Sequence, residues 1–165
     1  MALDTFANLK TSIANYLNRD DLTSYIPDFI ALAEARHGRD LRLRIMESVG
    51  TSTATGGQNY IDLPTNFLEF RYVALNTSPK IVLRYMSPFE LTKNYGGVTS
   101  GEPIYQTIIG EKLYFGPTPD SSYSIEWAYY SKPTALSDDN TTNAILTNHP
   151  DLYLYASLLE SAPFL

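Results

Sequence analysis

The chain contains no cysteine, so disulfides, a thiolate nucleophile and thiolate metal ligation are all excluded, and the redox compartment stays open. It has 2 histidines, His37 and His149, too far apart to form a two-histidine metal spacing. Apolar runs long enough to cross a bilayer are also missing, since a spanning helix needs about 20 such residues. The start, MALDTFANLK, has neither a basic n-region nor an apolar h-region. We therefore expect no membrane partner and a site of action in the cytoplasm or after lysis. Positive charge is scarce: 12 Lys and Arg stand against 18 Asp and Glu, for a net charge of −6 and a pI near 4.8. That balance argues against a dedicated nucleic-acid binder, whose affinity comes mainly from cations on phosphates. It is compatible with a wall past which DNA slides, because an acidic surface repels a polyanion.

What is present is a 165-residue chain, enough for one domain or two small ones. Its 13 tyrosines and 10 prolines point to a β-rich middle with many tight connections. The organising stretch is Ile26 to Met46, IPDFIALAEARHGRDLRLRIM, which reads as one long helix with Pro27 in its first turn and Ser24, Asp20 or Asp21 as capping residues. Ile26, Ile30, Ala33, His37 and Leu41 form one stripe at helical spacing, and Phe29, Leu32, Arg36 and Leu43 form a second. Two apolar stripes imply a helix sandwiched between neighbours. Arg36, Arg39 and Arg42 make a basic ridge. It is either a solvated face paired with Glu34, Asp40 and Glu47, or a docking surface for an acidic partner.

Elsewhere the pattern predicts a first helix over 4–18, capped by Asp4, which packs antiparallel against the long one. Residues 48–55 and 59–62, separated by Gly56-Gly57, read as a hairpin. Phe67 to Leu75 is the strongest strand, with Phe70, Tyr72 and Ala74 on one face, and Ile81 to Tyr85 pairs back onto it. Ser87-Pro88-Phe89-Glu90 is a capping box opening a short helix. Tyr95 to Pro103 reads as a glycine-rich loop, 104–109 and 112–115 as a hairpin about Gly110-Glu111, and Tyr123 to Tyr130 as the last strand. A final helix begins at Pro150, again with two apolar stripes: Leu152, Tyr155, Ala156 and Leu159 on one side, Leu154 and Leu158 on the other. It lacks a basic last turn or glycine cap, as expected of a helix that continues past Leu165. The expected fold is α+β. A helical bundle of two N-terminal helices (1–47) and a C-terminal helix (136–165, with an irregular linker) carries an inserted antiparallel sheet or sandwich (48–135).

Catalytic signals are absent from this reading. His37 sits in an apolar stripe as a core histidine would, and His149 precedes a helix-start proline. The acidic residues Asp20, Asp21, Asp62, Glu69, Glu90, Asp138 and Asp139 occupy turn and cap positions. Gly96, Gly97 and Gly101 match no phosphate-cradling pattern. Tyr105, Tyr114, Phe115, Tyr123, Trp127, Tyr129 and Tyr130 make either a sandwich core with its rim or a sugar-stacking platform. No catalytic residue, cofactor or metal ligand is expected.

Several segments together resemble the head-to-tail adaptor proteins of tailed bacteriophages. They are Leu17-Asn18-Arg19-Asp20-Asp21-Leu22, the run from Ile26 to Arg36, Arg39-Asp40-Leu41-Arg42, Leu63 to Glu69, Gly101-Glu102-Pro103-Ile104-Tyr105, the aromatic strand before Lys132-Pro133, and the run from His149 to Glu160. In layout the chain is similar to the tail tubular A proteins of podoviruses. The resemblance implies a non-enzymatic component of the virion neck, assembled in the host cytoplasm. It implies a homo-oligomeric ring, typically dodecameric, beneath the portal protein, which extends the DNA channel and carries tail or nozzle proteins. Double-stranded DNA would pass through without sequence-specific binding. The residues expected at the ring or portal interface are Phe29, Leu32, Arg36, Arg39, Arg42, Leu43, Tyr153, Leu154 and Leu158. Those expected on a tail-side loop are Tyr95, Gly96, Gly97 and Gly101. Two other readings are a virion-associated carbohydrate-binding or peptidoglycan-degrading component, resting on the aromatic strands and acid pairs, and a soluble scaffolding module that never enters a particle.

Overall fold

Thr5, not Asp4, opens the first helix: its hydroxyl accepts the Asn8 N–H at 3.3 Å, while the Asp4 carboxylate takes the Asn8 side-chain amide. The computed structural model describes residues 3–96 and 99–165. Helix α1 (Phe6–Leu17) ends on Asn18 in the left-handed region, and Asp20–Tyr25 forms a 3₁₀ turn. Helix α2 (Ile26–Asp40) stops six residues short of the expected end. Leu41 is extended, and the Arg42 guanidinium donates to the carbonyls of Gly38 and Leu41, taking the helix-end acceptors that another turn would have used. A short 3₁₀ turn at Arg44–Met46 follows.

The chain divides into two compact units, one running up to Met46 and resuming at Lys132–Leu165, the other Glu47–Ser131. In the first, α1, α2, α4 (Ala144–Asn148) and α5 (Pro150–Ser161) pack together around Leu9, Ile13, Ile26, Phe29, Ile30, Ile145 and Tyr153, all at most 2% exposed. On α2 a single stripe is buried, Ile26, Ile30, Ala33 and His37 with Phe29 beside it, whereas Leu32 stands half out in solvent.

The second unit is a pair of four-stranded sheets sharing one core. The first sheet has the order β1 (Glu47–Ala54), β10 (Tyr123–Ser131), β3 (Phe67–Leu75), β4 (Ile81–Val82), antiparallel throughout. In the second, the order is β2 (Tyr60–Asp62), β8 (Lys112–Gly116), β7 (Tyr105–Ile109), β5 (Arg84–Tyr85), with β5 parallel to β7. β6 (Ser100–Gly101) and β9 (Thr118–Pro119) form a small extra ladder. Ala54, Val73, Leu75, Ile125 and Trp127 from the first sheet meet Ile61, Leu113 and Phe115 from the second.

Three expectations need correction here. Ile81 to Tyr85 is not one strand on β3: only Ile81–Val82 pairs there, and Arg84–Tyr85 crosses to the second sheet, where the Arg84 N–H bonds the Ile104 carbonyl. β1 and β2 are not a hairpin: β1 pairs with β10 along its whole length and β2 joins the other sheet, so Gly56-Gly57 is a crossover between layers. Nor does β3 alternate cleanly. Arg71 and Leu68 are extra residues in its register against β10, and each bulge resets the phase, so Phe70 and Val73 turn inward while Tyr72 points out. The Ser87 capping box on α3 (Pro88–Tyr95) and the β7–β8 hairpin form as the residues dictate. Ser87 Oγ accepts the Glu90 N–H, and Gly110 supplies the positive φ of 63° at the turn.

Candidate functional site on the outward face of the helical unit

Helix α5 buries the wrong stripe for its hydrophobicity. Its inward residues are Tyr153, Leu154, Ser157 and Ser161, and both serines are fully buried. Small side chains on that side let α5 lie close to its neighbours, and Ser161 Oγ satisfies itself on the Leu158 carbonyl at 2.7 Å. The more apolar stripe is thereby left outside: Tyr155 is 61% and Leu159 57% exposed, with Leu152 and Ala156 half-buried.

These four residues and Arg36, His37, Asp40, Leu41 and Asp151 line a groove of about 310 Å³ between α2 and α5. Its polar end is fixed by Arg36, whose guanidinium pairs with Glu160 at 2.7 Å. Behind it lies a polar cluster around the buried Tyr153, with Glu34 and Asn143 half-buried. Glu34 Oε1 accepts the Leu136 N–H at 2.8 Å and the Tyr153 hydroxyl at 3.0 Å, and the Asn143 side-chain amide donates to Tyr153 at 2.6 Å and to the Thr134 carbonyl. The His37 ring meets Tyr153 edge-on, centroids 5.0 Å apart. Burial pushes the Glu34 carboxyl and the Tyr153 phenol up and pulls the His37 imidazolium down, so all three are held in their neutral forms more firmly than in water. This cluster ties α2, α5 and the 132–143 segment together from inside, a structural arrangement in which the groove is the open side.

The expected interface residues are therefore spread over two environments. Phe29, Tyr153 and Leu154 lie in the core of the unit, at most 4% exposed. Leu32 and Arg39 are exposed, Leu43 and Leu158 half-buried, Arg36 is bridged to Glu160, and Arg42 caps α2. Tyr155 and Leu159, the most exposed apolar residues of α5, are not among the residues expected at an interface. Of the tail-side loop, Tyr95 ends α3 with its ring 5.8 Å from that of Tyr105, Gly96 caps the helix, Gly101 pairs with Pro119, and Gly97 lies outside the described residues.

The aromatic strands supply core: Phe115, Trp127 and Tyr129 are buried, and Tyr105, Tyr114, Tyr123 and Tyr130 half-buried. Among the described residues no three His, Asp or Glu side chains stand together as metal ligands would, and no helix is long and apolar enough to cross a membrane. The acids instead bind locally: Asp21 to Arg19, Asp62 to Lys112, Asp138 to Lys10.

The family model for the SU10 adaptor protein matches residues 4–165. The chain belongs to the SU10 adaptor protein family. No curated protein matched it. Membership accounts for a bacteriophage head-to-tail adaptor with a structural role, built on a mixed α+β fold. The α2–α5 groove exposes Tyr155 and Leu159, and Tyr16, Tyr25, Leu32 and Leu165 are exposed elsewhere in the same unit.

Proposed function

We propose that this adaptor assembles as a ring, a dodecamer by the resemblance noted above, beneath the portal at the capsid vertex. There it extends the DNA channel and carries the tail or nozzle proteins in the virion neck. The observation that carries the reading is the inverted amphipathicity of α5, joined to a family match over nearly the whole chain. In this reading the α2–α5 groove, with Leu32, Arg39, Leu43 and Leu158 around it, meets the portal. The segments about Tyr95, Gly96 and Gly101 meet tail components. The net charge of −6 supports a channel that lets duplex DNA slide without holding it.

The test is to mix the purified protein with its cognate portal ring and measure mass and symmetry, with the protein alone as control. A ring of defined stoichiometry seated on the portal is the expected result, and reversing Arg39 to Glu should weaken it. A protein that stays monomeric and ignores the portal would overturn the proposal.

A further inference from the structure

The second sheet of the β unit carries an aromatic knob at one corner. Its edge strand β5 runs straight into α3 through Met86 and the Ser87 cap. Helix α3 turns Leu91 inward: a Cβ at Gly116 would stand 3.0 Å from Leu91 and 2.8 Å from the Tyr95 ring, so the helix lies hard against β8. The other face of α3 is thereby held in solvent. Phe89 is 76% exposed, more than any other large apolar side chain among the described residues, and Tyr85 on β5 is 69% exposed. Lys93 stands one turn beyond Phe89 on the same side of the helix, and Arg84 adjoins Tyr85. Both cations are exposed, and among the described residues neither makes an ion pair. Two exposed aromatic side chains flanked by two cations are the composition of a contact surface.

The diagonally opposite corner of the same sheet carries a socket. Leu63, Pro64, Thr65, Phe67 and the Gly110-Glu111 turn line a hollow of about 270 Å³. Its apolar walls, Leu63, Pro64 and Phe67, are half-buried, and the Leu63 N–H holds the turn in place by bonding the Glu111 carbonyl at 3.0 Å. The Glu111 carboxylate stands exposed on the rim, and among the described residues no cation pairs with it. The strand order fixes where the two features lie. β5 is one edge and pairs with Tyr105–Gln106 at the start of β7, whereas Glu111 follows the end of β7 and β2 is the opposite edge. Knob and socket therefore cannot meet within one chain, and one copy can engage a neighbour through each at the same time.

Resting on the ring reading above, we propose that neighbouring copies join knob into socket. Phe89 of one copy enters the hollow of the next, against Pro64 and Phe67, and Lys93 meets Glu111 on the rim. The occupant is a second copy because the two surfaces complement each other: an aromatic side chain flanked by cations faces an apolar hollow rimmed by a carboxylate. Their placement at opposite corners makes the contact heterologous. Each copy gives its knob to one neighbour and its socket to the other, which is the head-to-tail interface a closed ring requires. Portal docking then stays with the α2–α5 groove.

Native mass spectrometry of the protein titrated onto its cognate portal ring tests this. Wild-type copies that hold one another should load cooperatively, leaving portal rings either empty or full. Phe89→Ser removes almost no buried area, so the unfolding midpoint should stay where it is. The concentration for half-loading should nevertheless rise about tenfold or more, with partly filled rings appearing. Lys93→Glu should raise it about fivefold, and Glu111→Lys in the same chain should restore it. In rings built from labelled and unlabelled protein, a carbodiimide, which joins an ammonium to a touching carboxylate without a spacer, should link Lys93 of one copy to Glu111 of another. Complete wild-type rings that are indifferent to Phe89→Ser and Lys93→Glu and give no such link overturn the knob and socket and leave the adaptor reading standing. A link from Lys93 to Glu90 of another copy also overturns it, because it brings two knobs together. Wild-type protein that forms no ring on the portal overturns both readings.

Discussion

The two units reach order by different means. In the helical unit a polar cluster around the buried Tyr153, with the half-buried Glu34 and Asn143 and the Leu136 N–H, holds the inward face of α5. In the β unit Glu126 and Lys80 are shifted chiefly by their mutual hydrogen bond and not by burial. Its ion pairs, Lys80 with Glu126 and Lys112 with Asp62, lie on the outside, and its uniqueness comes from register, bulges and aromatic packing. Hydrogen bonding in a low-dielectric interior specifies strongly but depends on protonation, whereas apolar interdigitation does not. The helical unit should therefore feel pH in its core and the β unit should not.

The largest effect that would sharpen this contrast is in the β core. Phe115, 1% exposed between the two sheets, should cost about 3–5 kcal/mol when cut to alanine. Urea unfolding should show that loss nearly unchanged between pH 5 and pH 8. A strongly pH-dependent loss would mean that the core of the β unit is coupled to a titrating group, and the contrast would fail.

A smaller, pH-dependent effect belongs to the helical unit. Tyr153→Phe removes the hydroxyl that donates to Glu34 and accepts from Asn143, and should cost about 1–3 kcal/mol. Glu34 is the group that gives this core its pH slope. Because burial raises its pKa in the folded state, the folded chain holds the proton more tightly than the unfolded one. Its contribution to stability is complete below the unfolded value of about 4.3 and is lost as pH rises through the folded value. His37, lowered by burial, works the other way: its contribution is present above about 6.5 and is lost as pH falls through its folded value. Glu34→Gln keeps an oxygen acceptor for Leu136 and Tyr153 without the charge. It should match the wild type near pH 4 and exceed it in stability at pH 7. Equal pH profiles for the two proteins would show that Glu34 is not the source of the slope.

The same difference explains what could be read in the sequence. Local chemistry was legible: the Ser87 capping box, the glycine turn at Gly110 and the run Tyr123 to Tyr130 each carry their instructions within a few residues. Long-range choices were not. Nothing near Gly56-Gly57 tells β1 to pair with β10, and two inserted residues in β3 shift its buried face without changing its composition. The interface suffered most. α5 offers two apolar stripes, and hydrophobicity favours burying the leucines, yet a tyrosine whose hydroxyl needs Glu34 and Asn143 carries the helix round to its serine side. Four expected interface residues thereby divide into core, Tyr153 and Leu154, and surface, Leu32 and Arg39.

That rotation also sets the smallest effect on stability and the sharpest on assembly. Leu159 is 57% exposed and lines the groove with Tyr155 and Leu152. Leu159→Ser removes little buried area, so the unfolding free energy should change by no more than about 0.5 kcal/mol. If the outward stripe is the docking face, the same change deletes an apolar anchor at its centre, and the affinity for the portal ring should fall about tenfold or more. The pair of measurements separates the two roles that a leucine on a helix can have. A loss of stability together with binding would place Leu159 in the core, and loss of neither would place the docking face elsewhere. Lost binding with unchanged stability is the pattern of a helix that keeps its leucines for another protein.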